Sequence, residues 1–123
     1  MPYSIYTAAA LSLLLLTLSI NISRLRLAHK ISFGDGGVKE LAMAMRAHGN
    51  SLEQSVLFIP LLYLMEAHAN PDPRIVLALG GGFVLLRVVY CAALFRRALP
   101  IRQMAHALTV LVQLVATVAI LVR

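Results

Sequence analysis

Met45-Arg46-Ala47-His48-Gly49-Asn50-Ser51-Leu52-Glu53-Gln54-Ser55-Val56-Leu57-Phe58-Ile59-Pro60 threads a guanidinium, an amide and a carboxylate through an otherwise apolar, helix-length stretch. Arg46, Asn50 and Glu53 stand at i, i+4 and i+7, which fall on one face of a helix, so the segment predicts a helix with a single polar stripe. In or near hydrocarbon each of these groups costs several kcal/mol unless it faces a protein interior or a polar ligand. In a bilayer, the stripe therefore marks a functional site.

The rest of the chain supplies that bilayer. Sixty per cent of its 123 residues are hydrophobic and the mean hydropathy is +0.84, whereas roughly half the residues of a soluble domain are apolar. The composition is that of an integral membrane protein. The formal net charge is +6, but the Lys and Arg residues flank apolar segments instead of clustering on one amphipathic surface. They read as topology signals and argue against a nucleic-acid partner. The single cysteine, Cys91, can form no intrachain disulfide and reads as a packing residue. His29, His48, His68 and His106 have no ligand spacing, so no metal site is expected.

Spans are predicted over 3–22, 41–67, 75–95 and 101–121, each near the ~20 residues that cross ~30 Å of hydrocarbon. This gives an all-α fold, an integral membrane four-helix bundle that fills the chain as one domain, 1–123. The first apolar segment lacks a basic leader and a small-residue cleavage site, which fits a retained span better than a signal peptide. Gly34, Gly36 and Gly37 break the first loop, Pro71 and Pro73 the second, and Pro100 the third.

Arg24, Arg26, Lys30 and Lys39 lie in loop one and Arg96, Arg97 and Arg102 around loop three, against Arg74 alone in loop two and Arg123 at the C-terminus. The positive-inside rule places both termini outside. In that orientation Arg46, Asn50, Arg87, Tyr90 and Arg102, from three helices, all lie toward the cytoplasmic leaflet and predict one polar site opening to the cytoplasm. His106, one turn after Arg102, is expected to face near it, while His48 need not share the site. Arg96 and Arg97 read as topology determinants and snorkelling interface residues. Four short helices have little interior for several charges, so an oligomer is expected. Gly80, Gly81 and Gly82 would permit close helix approach within or between subunits.

The pattern Arg46-x-x-x-Asn50-x-x-Glu53 resembles the second-helix signature of the MAPEG superfamily, the membrane-associated proteins of eicosanoid and glutathione metabolism. Arg24-Leu25-Arg26, Arg87-Val88-Val89-Tyr90 and Pro100-Ile101-Arg102 extend the resemblance over nearly the whole chain. It implies a homotrimer that binds glutathione, as co-substrate, at subunit interfaces open to the cytoplasm. On that resemblance, Arg46, Asn50 and Glu53 would hold the tripeptide's charged ends and backbone. Arg24 or Arg26 and Arg87 would add carboxylate contacts, and Tyr90 a hydroxyl or ring contact. Arg102 would be the catalytic residue, favouring thiolate over thiol. Glutathione carries two carboxylates and one ammonium, which call for guanidinium partners and one anionic partner, and the stripe offers both signs.

The implied activity is that of a membrane-bound glutathione transferase or peroxidase acting on a lipophilic small molecule in membrane lipid, in a bacterial inner membrane. Gln54 stands where many members carry tyrosine and Leu94 where some carry a second aromatic, which argues against the specialised leukotriene and prostaglandin synthases and toward a generic member. Two other readings stay open on the residues alone. One is a non-enzymatic scaffold or a lipid- or anion-binding protein of the same fold. The other is a small proton-coupled transporter with Glu53 as carrier, though the accompanying arginines favour anion binding.

Overall fold

The apolar runs become helices and the Gly- and Pro-bearing breaks become the turns between them. The computed structural model describes residues 2–122, which form four α-helices: α1 (Ser4–His29), α2 (Lys39–Ala69), α3 (Pro73–Phe95) and α4 (Leu99–Leu121). Met1 and Arg123, the second of them used in the orientation argument, lie outside the described residues.

Helices α1, α3 and α4 are long and apolar enough to cross a membrane. Helix α2, expected as a fourth span, has the length but not the apolarity, because Lys39, Glu40, Arg46, Glu53 and Glu66 interrupt it. Helix α1 ends at His29 instead of near residue 22. The Arg24–Ala28 segment contains only good helix formers, and burial of Leu25 against Leu41 and Ala44 of α2 holds this extension in place.

The starts of α3 and α1 have identifiable causes. The Asp72 side chain accepts the Arg74 N–H at 2.9 Å and Pro73 occupies the first turn of α3, a conventional cap with proline where no N–H is needed. Helix α1 has no side-chain cap of its own. Instead the Glu66 carboxylate, from the far end of α2, accepts the backbone N–H groups of Tyr3 and Ser4 at 2.6 and 3.0 Å. A carboxylate there satisfies free amides and opposes the helix dipole in one contact.

Helices α2 and α3 form the central pair. Both α1 and α4 pack against each of them, while among the described residues α1 and α4 do not pack on each other. The Phe58 and Phe83 rings stack at 3.9 Å between centroids across the α2–α3 seam, within a cluster holding Leu11, Leu62, Met65 and Val76. Gly80 lets α1 close in: a Cβ there would collide with Thr7 Oγ1 and press on Leu62. A second cluster, with Leu18, Ala47, Tyr90, Cys91 and Ala105, packs beside the polar stripe. Cys91 is buried there as a packing residue, its Sγ 3.5 Å from Ser51 Oγ. Leu13, Leu16, Ile20, Leu111 and Leu114 remain exposed on the outside, as a membrane setting requires.

Candidate functional site

Two adjoining cavities open between α2, α3 and α4 and share Arg46 and Arg102. One, of about 360 Å³, is lined by Arg46 and Asn50 of α2, Tyr90 of α3, and Arg102, Gln103 and His106 of α4. The other, of about 320 Å³, adds Arg97 from the α3–α4 turn to Arg46 and Arg102 and is walled by Met43, Leu94 and Leu99. The expected convergence of polar groups from three helices is therefore present within a single chain. Neither cavity is lined by an aspartate or a glutamate, so the site is cationic and suited to an anion.

Helix periodicity explains which side chains reach it. Ala47, Ser51, Phe58 and Leu62 are buried and lie roughly 100–160° around α2 from Arg46 at 3.6 residues per turn. Arg46 thus points away from the core and Asn50 sits at its edge. Glu53 shares Arg46's face, but it is exposed and lines neither cavity.

Arg87 is fully buried and stands behind the cavity wall. Its Nη2 donates to Asn50 Oδ1 and, at 3.4 Å, to Ser51 Oγ, and its guanidinium carbon lies 4.4 Å from the centroid of the Tyr90 ring. Nε and Nη1 have no partner in the described structure. Arg87 lines neither cavity, whereas the Asn50 and Tyr90 that it contacts line the larger one. His106 faces Tyr90, with ring centroids 6.1 Å apart, and its Nδ1 is buried without a partner among the described residues.

The α3–α4 turn fixes Arg97 and Arg102. Ala98 N–H donates to Ala93 O at 2.8 Å and Arg97 N–H to Leu94 O at 3.2 Å, the paired bonds of a Schellman cap. Arg97 occupies the position that glycine usually takes, with φ 55°, a left-handed conformation that costs a non-glycine residue roughly 1 kcal/mol. That geometry turns Arg97 into the smaller cavity, so a residue expected only as a topology determinant and snorkelling interface residue lines the site. The break at Pro100 then starts α4 with Arg102 in its first turn.

Arg24 and Arg26 are not brought to these cavities. Arg24 is exposed and donates to Asn21 Oδ1 at 2.9 Å. Arg26 donates to Gly34 O at 2.8 Å and lies against Met45 Sδ at 3.7 Å, tying the first loop to α2. Their helix lies on the opposite flank from α4. His48 is also elsewhere, in a cavity of about 370 Å³ with Ser12 and Ser19 between α1 and α2.

Inner membrane protein YecN from two strains of Escherichia coli is similar to this chain, at 42% identity over 55 residues. The matched segment spans 45% of this chain and 42% of each relative's length. No solved structure matches. The MAPEG family model matches residues 4–122, all four helices and both cavities included, and the chain is a member of the MAPEG family.

Proposed function

We propose that this protein is a glutathione-dependent transferase, with peroxidase activity toward lipid hydroperoxides, embedded in a bacterial inner membrane as a homotrimer. The observation that carries the reading is the meeting of Arg46, Asn50, Tyr90 and Arg102, from three helices, on one acid-free cavity at the edge of an apolar bundle. Arg46 takes a glutathione carboxylate, Asn50 the peptide backbone and Tyr90 a hydroxyl or ring contact. Arg87 holds Asn50 and Tyr90 in place. In a trimer, Glu53 on the outward face of α2 takes the ammonium, and Arg24 or Arg26 of a neighbouring copy supplies the second carboxylate contact that α1 cannot give its own site.

Arg102 faces the thiol near the start of α4, where its charge and the helix dipole favour the thiolate. In transfer, the sulfur forms a bond to an electrophilic carbon, the leaving group departs with its electron pair, and the thiol proton passes to solvent. In peroxide reduction, the thiolate attacks the distal oxygen, the O–O bond breaks to give an alcohol and a sulfenic acid, and a second glutathione releases water and the disulfide. The site opens to the cytoplasm and both termini lie outside, as the basic residues of loops one and three direct.

Calorimetry with glutathione on the detergent-solubilised protein, with Arg46→Ala, Glu53→Ala as control, tests the binding half. Saturable binding that the double variant loses is the expected result. No binding at millimolar glutathione would remove the proposal. Arg102→Leu is expected to lower kcat more than it weakens glutathione binding.

A further inference from the structure

His106 has no part in the reading above, yet it lines the larger cavity together with Arg46, Asn50, Tyr90 and Arg102. It stands one turn after Arg102 on α4, a spacing that puts two side chains on one helix face with their Cβ atoms about 5–6 Å apart. The residue is half-buried, and its ring lies tilted against that of Tyr90, with centroids 6.1 Å apart. Its Nδ1 is buried and has no partner among the described residues. Packing on Tyr90 asks only for a ring, so the fold itself does not call for the imidazole nitrogens.

The peroxide reaction does call for a proton donor. When the thiolate attacks the distal oxygen, the electron pair of the O–O bond leaves on the proximal oxygen, and an alkoxide is far too basic to depart unprotonated at neutral pH. Few side chains on the cavity walls can supply that proton. No aspartate or glutamate lines either cavity, arginine does not release a proton in proteins, and a phenol is a weak acid with a pKa of about 10. An imidazole both takes and gives a proton near neutral pH. We propose that His106 is the general acid of peroxide reduction. It takes the thiol proton as the thiolate forms beside Arg102 and gives it to the proximal oxygen as the O–O bond breaks. Glutathione and hydroperoxide thereby become a sulfenic acid and an alcohol with no net exchange of protons with solvent. This role rests on the peroxidase part of the reading above. Conjugation at a carbon that loses halide needs no such acid, because the halide leaves as the anion and the thiol proton passes to solvent.

Two reactions of the full-length protein in non-ionic detergent test the role, reduction of cumene hydroperoxide and conjugation of 1-chloro-2,4-dinitrobenzene, each with glutathione. His106→Gln keeps a hydrogen-bonding side chain, and His106→Phe keeps a ring against Tyr90, but neither can carry the proton. Both variants should lose about a hundredfold in kcat for peroxide reduction, with a far smaller loss in conjugation. Arg102→Leu, which removes the thiolate's partner, should lower both reactions. A His106→Phe variant that reduces the peroxide at the wild-type rate would make His106 a packing residue and overturn the inference. Equal losses in the two reactions would overturn it too, by assigning His106 to glutathione binding. The wild-type protein tests the underlying reading separately. If it conjugates but reduces no peroxide, the inference falls and the transferase reading stands, and if it does not bind glutathione, both fall.

Discussion

Arg87 is a cation buried completely among helices, with Asn50, Ser51 and Tyr90 as neighbours and two nitrogens without a partner among the described residues. Replacing a buried, poorly compensated ion by an apolar group of similar size is often neutral or stabilising. Arg87→Met is therefore expected to leave the thermal midpoint unchanged or raise it by a few degrees. It also removes the donor that holds Asn50 and the cation over Tyr90, so glutathione should bind about tenfold more weakly, or about 1.4 kcal/mol. Arg87→Lys should not rescue binding, because one ammonium cannot fork to two oxygens and lie flat on a ring. A variant that binds normally but melts several degrees lower would make Arg87 a packing residue only. The residue type was legible in the sequence, since an arginine in an apolar span rarely lacks a role. Its depth was not, because the register of α3 against α2 decides whether such a side chain lines a cavity or backs its wall.

At the scale of the elements, the Gly80-Gly81-Gly82 run divides sharply. A Cβ at Gly80 meets Thr7 and Leu62, whereas at Gly81 and Gly82 it meets nothing within 4 Å. Gly80→Ala should push α1 from α3 and destabilise the protein by about 1–3 kcal/mol, as overpacking does. Gly81→Ala should be neutral or stabilise by up to about 1 kcal/mol through helix propensity. Thermal melts in detergent separate the two, and equal losses would mean that Gly81 lies in a contact between copies. All four helices were legible because glycine- or proline-bearing breaks separate one run from the next, although α1 extends past its apolar run to His29 and α2 lacks the apolarity of a span. Arg97 was not, since no glycine announces the α3 cap and only the bonds of Ala98 and Arg97 back to Ala93 and Leu94 reveal its turn. The stripe of α2 was half legible: periodicity gave Arg46, Asn50 and Glu53 one face, but only packing shows that this face turns outward from the bundle.

That outward face governs the whole molecule. Glu53 is exposed beside Leu52, Val56 and Leu57, a carboxylate on an apolar surface with no ion-pair partner among the described residues. In hydrocarbon such a group is costly, and association of copies removes the cost if a neighbour supplies cationic side chains. Helix α1 carries exposed Arg24 on the flank away from α4, so a ring of copies would bring one chain's α1 toward the next chain's α2 stripe. Any rotation that closes satisfies every such face and leaves none open, and the proposed trimer is one such ring. In mild detergent, sedimentation should therefore report three copies of the 13.4 kDa chain. Glu53→Lys, which places like charges together, should shift the protein toward monomer and abolish glutathione binding in the same sample. Arg24→Glu should do the same alone, and the Glu53→Lys, Arg24→Glu pair should restore part of the assembly but not glutathione binding, because the exchanged charges repel the ligand's ammonium and carboxylate. A monomer that binds glutathione with wild-type affinity would show instead that the two cavities of one chain suffice.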